Sequence, residues 1–249
     1  MTTILLARHG QASFGQANYD QLSKLGIKQA RLLGKHYAST QRRIDAVYSG
    51  SLVRQQDSAR HFWEVYQASA ADRESSAFDI STPEQHVLPL FNEFNHKDVF
   101  LKSDPAFASP ADIAAKIAQA ENPNLRLAEL FDNAMQRWHS GNYDEDYIES
   151  WLQFNSRAQQ ALEQLIERIE TLGHLEKGST VLVFTSGGVI AAITAKLLEQ
   201  DSKGSYQINK SLVNTGVTAI TLPKQTPRLL SMNEYSHLFA DGESFVTWR

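Results

Sequence analysis

Short apolar runs alternate along this chain with stretches whose apolar residues recur at helical spacing, a pattern that predicts an α/β fold. Thr3-Ile4-Leu5-Leu6-Ala7 reads as a buried strand, and a polar, glycine-containing loop at 11–20 follows it. Leu22-Ser23-Lys24-Leu25-Gly26 leads into a helix over about 27–37. Asp45-Ala46-Val47-Tyr48 predicts the second strand. Ser49-Gly50-Ser51 is its turn, with Ser51 as N-cap of a helix over about 52–67. Residues 68–81 are small and polar and predict a surface loop. Val87-Leu88-Pro89-Leu90 is a short extended run that Pro89 places at a sheet edge or strand end. Phe154, Ala158, Ala161, Leu162, Leu165, Ile169 and Leu172 form one helical face, and Gly173 ends that helix. Val181-Leu182-Val183-Phe184 predicts a buried parallel strand. Gly187-Gly188 then opens a helix over about 189–200. Residues 217–222 and 228–232 predict closing strands around a proline-containing turn.

The segment at about 97–150 differs in texture. It carries Pro105, Pro110 and Pro123, helix-like stretches and the acidic patch Asp144-Glu145-Asp146, which reads as a solvated face. We expect a mainly helical insertion within a single domain spanning 1–249. Trp138, Trp151, Phe131 and Met135 would give the insertion an apolar face. Trp138, Trp151 and Phe154 are expected to be its core rather than a ligand cage. No internal repeat interrupts the pattern. The expected architecture is a three-layer α/β/α sandwich around a mostly parallel sheet.

Composition narrows the partners. A formal net charge of −4 over 249 residues leaves no electrostatic footprint for nucleic acid. Any phosphate binding must come from a local cluster of cations. The absence of cysteine excludes disulfides, thiolate catalysis and cysteine-based metal sites. No apolar stretch approaches the roughly 18 residues of a membrane span, and the first residues lack the pattern of a signal peptide. A cytoplasmic protein without a membrane partner is therefore expected.

Three strand-to-helix junctions carry the chemistry. The first offers Arg8-His9-Gly10, directly after the first strand. The second offers Arg54, one turn into the helix behind Ser49-Gly50-Ser51. The third offers Ser186 with the Gly187 and Gly188 backbone at a helix start. Ligands of open α/β sheets bind beyond the carboxyl ends of the strands. Helix N-termini present free N–H groups and partial positive charge. Arginines add planar, bidentate donors for phosphate. If the three strands are adjacent, all three loops converge on one small anion.

Five segments carry a resemblance to the histidine phosphatase superfamily, also called phosphoglycerate mutase-like. Leu6-Ala7-Arg8-His9-Gly10-Gln11 resembles its opening motif, and Leu22-Ser23-Lys24-Leu25-Gly26-Ile27-Lys28-Gln29-Ala30 the helix start after it. Tyr48-Ser49-Gly50-Ser51-Leu52-Val53-Arg54-Gln55-Gln56-Asp57-Ser58-Ala59 resembles the second arginine motif. Leu90-Phe91-Asn92-Glu93-Phe94 resembles the segment that carries the acid, and Asn233-Glu234-Tyr235-Ser236-His237-Leu238 a frequent closing segment. The resemblance implies that His9 is the nucleophile and passes through a phosphohistidine. It implies that Arg8 and Arg54 hold the non-bridging oxygens. Beside that resemblance, the third junction offers Ser186 and Gly187 as phosphate-binding candidates, with Ser186 a phosphate contact, an N-cap of the following helix, or both. Glu93 would protonate the leaving oxygen and then help activate water. No metal and no cofactor are implied.

The chain departs from the family at Ser186, where a second histidine normally precedes the paired glycines. A charge-assisted hydrogen bond is worth roughly 1.5–3 kcal/mol, against about 0.5–1.5 for a neutral hydroxyl. Losing one preorganised donor slows a reaction by about 10²–10³. Slowed chemistry is thus expected, unless His96, His139 or His237 fills the gap. Gln11 and Gly15 also replace a commoner Glu and Asn.

Three functions fit these residues. The first is a metal-independent phosphomonoesterase for a small phosphorylated metabolite or a phosphoprotein, with a mutase as a variant and the insertion as a lid. The second is a catalytically impaired protein that binds inorganic phosphate or a phosphorylated ligand. The third is a serine hydrolase with Ser186 on a nucleophile elbow, although Phe184 stands at the first glycine position of that motif.

Overall fold

A computed structural model describes residues 2–13, 20–71, 85–171, 178–240 and 243–248. The positions of Gly15, of Leu172 and Gly173, and of most of the expected 68–81 loop lie outside these residues. The six-stranded sheet contains β1 (Thr3–Arg8), β2 (Ala46–Ser49), β3 (Gln85–Val87), β4 (Thr180–Thr185), β5 (Val217–Thr221) and β6 (Arg228–Glu234). Their order is β3-β2-β4-β1-β5-β6. Pairs β3–β2, β2–β4 and β4–β1 are parallel, while β5 and β6 close one edge antiparallel. A two-residue ribbon, β7 (Phe239–Ala240) and β8 (Glu243–Ser244), follows.

Strand alternation sorts the core into two layers. Leu5, Ala7, Val47, Leu182 and Phe184 face α1 (Lys24–Ser39) and α2 (Val53–Ala71), meeting Leu33, Tyr37, Phe62 and Tyr66. Ile4, Leu6, Tyr48, Val181 and Val183 face the opposite layer, which holds α6 (Trp151–Thr171) and α7 (Gly187–Leu197). Full burial of such a side chain is worth about 1.5–3 kcal/mol. The three-layer sandwich with a mostly parallel sheet is the observed fold.

The segment preceding α6 contains α3 (His96–Leu101), α4 (Pro110–Ala118), α5 (Pro123–His139) and the 3-10 turn Asp144–Asp146. Trp138 and Met135 of α5 are buried in the same cluster as the sheet residues, so the apolar face of this segment is part of the main core. Trp151 and Phe154 pack on Trp138 at ring distances of 5.3 and 5.5 Å. The acidic turn lies outside the core, and Asp146 pairs with Arg137.

Several expected boundaries move. Ser23 caps α1 through its side chain, so the helix begins three residues earlier than the apolar spacing suggests. Gly187 begins its helix rather than preceding it. Pro89 starts the 3-10 turn Pro89–Phe91, which ends the edge strand β3. Helix α8 (Ser202–Ser211) has no counterpart in the sequence reading. Its buried residues are Ser205 and Tyr206, too few to mark an apolar face. Among the described residues, no helix is long and apolar enough to cross a membrane.

Candidate active site

Strand β4 lies between β2 and β1, so the three junctions stand side by side at the carboxyl edge of the sheet. Arg8 is level with Thr185, and Ser49 with Phe184. Backbone bonds fix the first junction: His9 N donates to Thr185 O at 2.8 Å, and Thr215 N to Arg8 O at 3.0 Å. Asn214 Nδ2 donates to the His9 carbonyl at 3.1 Å. A Cβ on Gly10 would collide with the Gly26 carbonyl oxygen, so the loop can press against α1 only with glycine there.

His9 is 5% exposed. Its Nδ1 lies 2.7 Å from the Gly10 carbonyl oxygen, and Arg54 Nε donates to its Nε2 at 3.1 Å. A guanidinium only donates, so Nε2 must be the acceptor and Nδ1 carries the proton. Burial, then the charges of Arg54 and Arg8, hold the His9 pKa well below 6.5 against the pull of the Gly10 carbonyl. A neutral imidazole with its Nε2 lone pair facing an arginine is the result.

Arg54 is itself buried, and its Nη1 donates to Asp20 Oδ1 at 2.7 Å. The other Asp20 oxygen accepts from Val53 N at 2.9 Å, meeting the start of α2. The expected Ser51 cap is therefore corrected: its hydroxyl accepts from Asn92 Nδ2 instead, at 2.7 Å. Arg8 Nη1 donates to the Leu212 carbonyl at 2.6 Å. The same guanidinium lies along Gly187, where a Cβ would sit 3.4 Å from Arg8 Nε.

Glu93 sits against the start of α7. Gly188 N donates to its Oε2 at 3.1 Å and Phe94 N to its Oε1 at 3.2 Å. A Cβ on Gly188 would clash with this carboxyl. Burial raises the Glu93 pKa, with the Gly188 amide and the two arginine charges pulling the other way. Ser186 is fully buried at the N-cap position of α7, yet its hydroxyl does not cap the helix. It accepts from Gln55 Nε2 at 2.8 Å, and the same amide nitrogen donates to Phe91 O at 3.1 Å. His9, Arg8, Arg54, Glu93, Ser186 and Gly187 thus meet at one edge of the sheet.

The description "histidine phosphatase superfamily (branch 1)" fits residues 4–74 and 119–235, more than half of the chain. The chain belongs to this superfamily. A metal-independent phosphoserine phosphatase of Arabidopsis thaliana is 25% identical over 248 residues, which cover 97% of this chain and 85% of that protein. Among solved structures, the Entamoeba histolytica phosphoserine phosphatase mutant in complex with phosphoserine superposes with a TM-score of 0.60. It is 19% identical, and the match covers 96% of this chain and 100% of that one. The phosphoglycerate mutase of Bacillus anthracis str. Sterne also gives 0.60, at 17% identity, covering 95% and 94%. These two structures show the phosphoglycerate mutase-like fold.

Against that family pattern, the three unranked histidines separate. His237 Nε2 pairs with Thr215 Oγ1 at 3.0 Å, and the ring lies 6.1 Å from that of His36. His139 lies among Trp138, Trp151 and Tyr206. His96, at the start of α3, is the one that feels Arg54; its pKa is lowered to about 4, mainly by burial and then by that charge. The nucleophile-elbow reading of Ser186 finds no support, because its hydroxyl meets Gln55, and His237, the one histidine that follows it in the sequence, is held by Thr215. Asp20, Gln55 and Asn214 were missed. Each acts across a gap in sequence that no local spacing marks.

Proposed function

We propose that this chain is a phosphoric monoester hydrolase that works through a phosphohistidine at His9. The observation that carries this reading is the neutral His9 Nε2, oriented by Gly10 and flanked by two arginines. As substrate binds, Arg54 Nε turns from Nε2 to a phosphoryl oxygen; the freed Nε2 lone pair attacks phosphorus as the ester P–O bond breaks, while Arg8, Arg54 and the Gly187 amide take up charge on the non-bridging oxygens. Glu93 gives its proton to the departing oxygen. In the second half, the Glu93 carboxylate takes a proton from water, which attacks phosphorus and releases phosphate and His9. The substrate is a small phosphorylated metabolite; phosphoserine, bound by the Entamoeba relative, sets the scale. Segment 97–150 acts as the insertion that lids the site, supported by the Trp138 ring lying 4.6 Å from that of Phe94, the residue after Glu93. The same reading places the protein in the cytoplasm, with its substrates.

The test is turnover in EDTA of p-nitrophenyl phosphate and a panel of alkyl phosphates across the pH range. Turnover needs neutral His9, whose lowered pKa delays loss until well below 6.5, and protonated Glu93, whose raised pKa extends activity above the usual carboxyl range. The kcat/KM profile, which reports the groups of the free protein, is therefore expected to be a bell peaking on the acid side of neutrality. Its alkaline limb should be steeper for alkyl esters, which need the proton, than for nitrophenyl ester. No turnover, with phosphate still bound, would overturn the reading in favour of a binding protein.

Ser186 enters as a neutral donor. With Gln55 Nε2 occupying an acceptor position on Oγ, its own proton is directed elsewhere, and a bound phosphate oxygen would receive it. Ser186→Ala is expected to lower kcat by about three- to tenfold, the worth of one neutral hydrogen bond. An unchanged kcat would remove Ser186 from the phosphate site.

A further inference from the structure

The short loop before Glu93 is held by side chains from three directions. Gln55 Nε2 and Thr185 Oγ1 both donate to the Phe91 carbonyl, at 3.1 and 2.7 Å. Asn92 Oδ1 accepts from Ser51 N at 2.7 Å. The third hold comes from α6. Arg157 Nη1 donates to the carbonyls of Leu90 and Asn92, at 2.8 and 2.7 Å. The Asn92 carbonyl belongs to the peptide that leads directly into Glu93.

Arg157 is in turn fixed by Glu149. Its Nε and Nη2 donate to the two carboxylate oxygens at 2.6 and 2.9 Å, a fork-to-fork pair. The two side chains are only 20% and 24% exposed. Glu149 stands at the end of the 97–150 segment, and its carbonyl accepts from Trp138 Nε1 at 2.9 Å. Four donated bonds thus run from one guanidinium, two to a carboxylate and two to the loop that carries Glu93. Lysine has the charge but not the planar fork, and cannot make all four.

We propose that Arg157, locked by Glu149, is a positioning residue for the Glu93 proton donor. This rests on the reading of Glu93 as general acid. Arg157 hydrogen-bonds to Glu149 and the loop carbonyls and lies 5.0 Å from the centre of the Phe154 ring; of these contacts, the bond to the Asn92 carbonyl leads directly into the Asn92–Glu93 peptide. A general acid must stand within hydrogen-bond reach of the departing oxygen, and a displacement of about 1 Å lowers rate by up to about 10². A mispositioned acid penalises poor leaving groups and largely spares good ones. A merely structural arginine would lower both together.

The experiment compares kcat for an alkyl phosphate, β-glycerophosphate, with kcat for p-nitrophenyl phosphate in the full chain. Arg157→Ala, Arg157→Lys and Glu93→Gln are measured beside the native protein, with vanadate inhibition as a check on the phosphate site. Glu93→Gln is expected to depress the alkyl-to-nitrophenyl ratio most. Arg157→Ala is expected to lower it by about tenfold, and Arg157→Lys by less, with the vanadate constant within about twofold of native. If Arg157→Ala does not fold, Arg157→Lys decides alone. A ratio unchanged in the Arg157 variants, while Glu93→Gln depresses it, would overturn the positioning role and leave the acid in place. A ratio unchanged in Glu93→Gln would overturn the acid itself, and the positioning role with it.

Discussion

His9→Ala is expected to lose at least about 10⁴-fold in kcat toward every phosphomonoester and to form no acid-labile phosphoenzyme. The size follows from how completely the site is built around one nitrogen. Nδ1 is committed to the Gly10 carbonyl, so Nε2 carries the ring's one lone pair, which Arg54 Nε holds until a phosphoryl group takes its place. Burial and two arginines keep that lone pair unprotonated. The backbone of His9 is held from both sides, by Thr185 O and by Asn214 Nδ2, so the ring has little freedom to lose on reaction. Alanine keeps those backbone bonds and the arginines, so phosphate and vanadate should still bind. Rapid quench with ³²P-labelled substrate would detect the phosphohistidine in the native chain. Turnover persisting in His9→Ala would sink the mechanism.

The fold was legible where the chain states its period plainly. Ile4, Leu6 and Leu5, Ala7 alternate between two layers, and Phe154 to Ile169 recur on one helical face. Arg8, His9, Arg54 and Ser186 were legible for a related reason: each lies at or one turn beyond a strand end, and sheet topology alone brings strand ends together. Residues acting between elements were not legible. Asp20 reaches Arg54 and the start of α2 from across the site, and in doing so displaces the cap that Ser51 was expected to supply. Gln55 looks like a surface helix residue until Ser186 is placed beside it. Arg157 and Glu149 are eight residues apart, outside the three- and four-residue spacing that marks a helical charge pair. Helix α8 has neither an apolar stripe nor a proline or glycine that frames it, so packing rather than periodicity defines it.

Arg54→Ala is the second large effect, and its pH signature separates electrostatics from scaffolding. Arg54 is 5% exposed and joins three groups: His9, Asp20 and, through Asp20, the first amide of α2. Removing it takes a planar donor from the transferring phosphoryl group, which should lower kcat/KM by about 10³ and weaken vanadate inhibition. It also removes one of the two positive charges that disfavour the imidazolium. The His9 pKa should then rise toward 6.5, so the nucleophile becomes protonated at higher pH and the acid limb of the profile moves toward neutrality. Arg54→Lys restores the charge without the fork. It should return the acid limb to its native position while recovering only part of the rate. Scaffolding alone predicts another pattern, in which both variants lose rate and neither moves the limb. The Asp20 bond to Val53 uses the carboxylate oxygen that Arg54 does not hold, so the start of α2 is expected to remain capped in both variants. The limb position therefore reports the field at His9, and it ties the lowered histidine pKa directly to the arginine that sits on its lone pair.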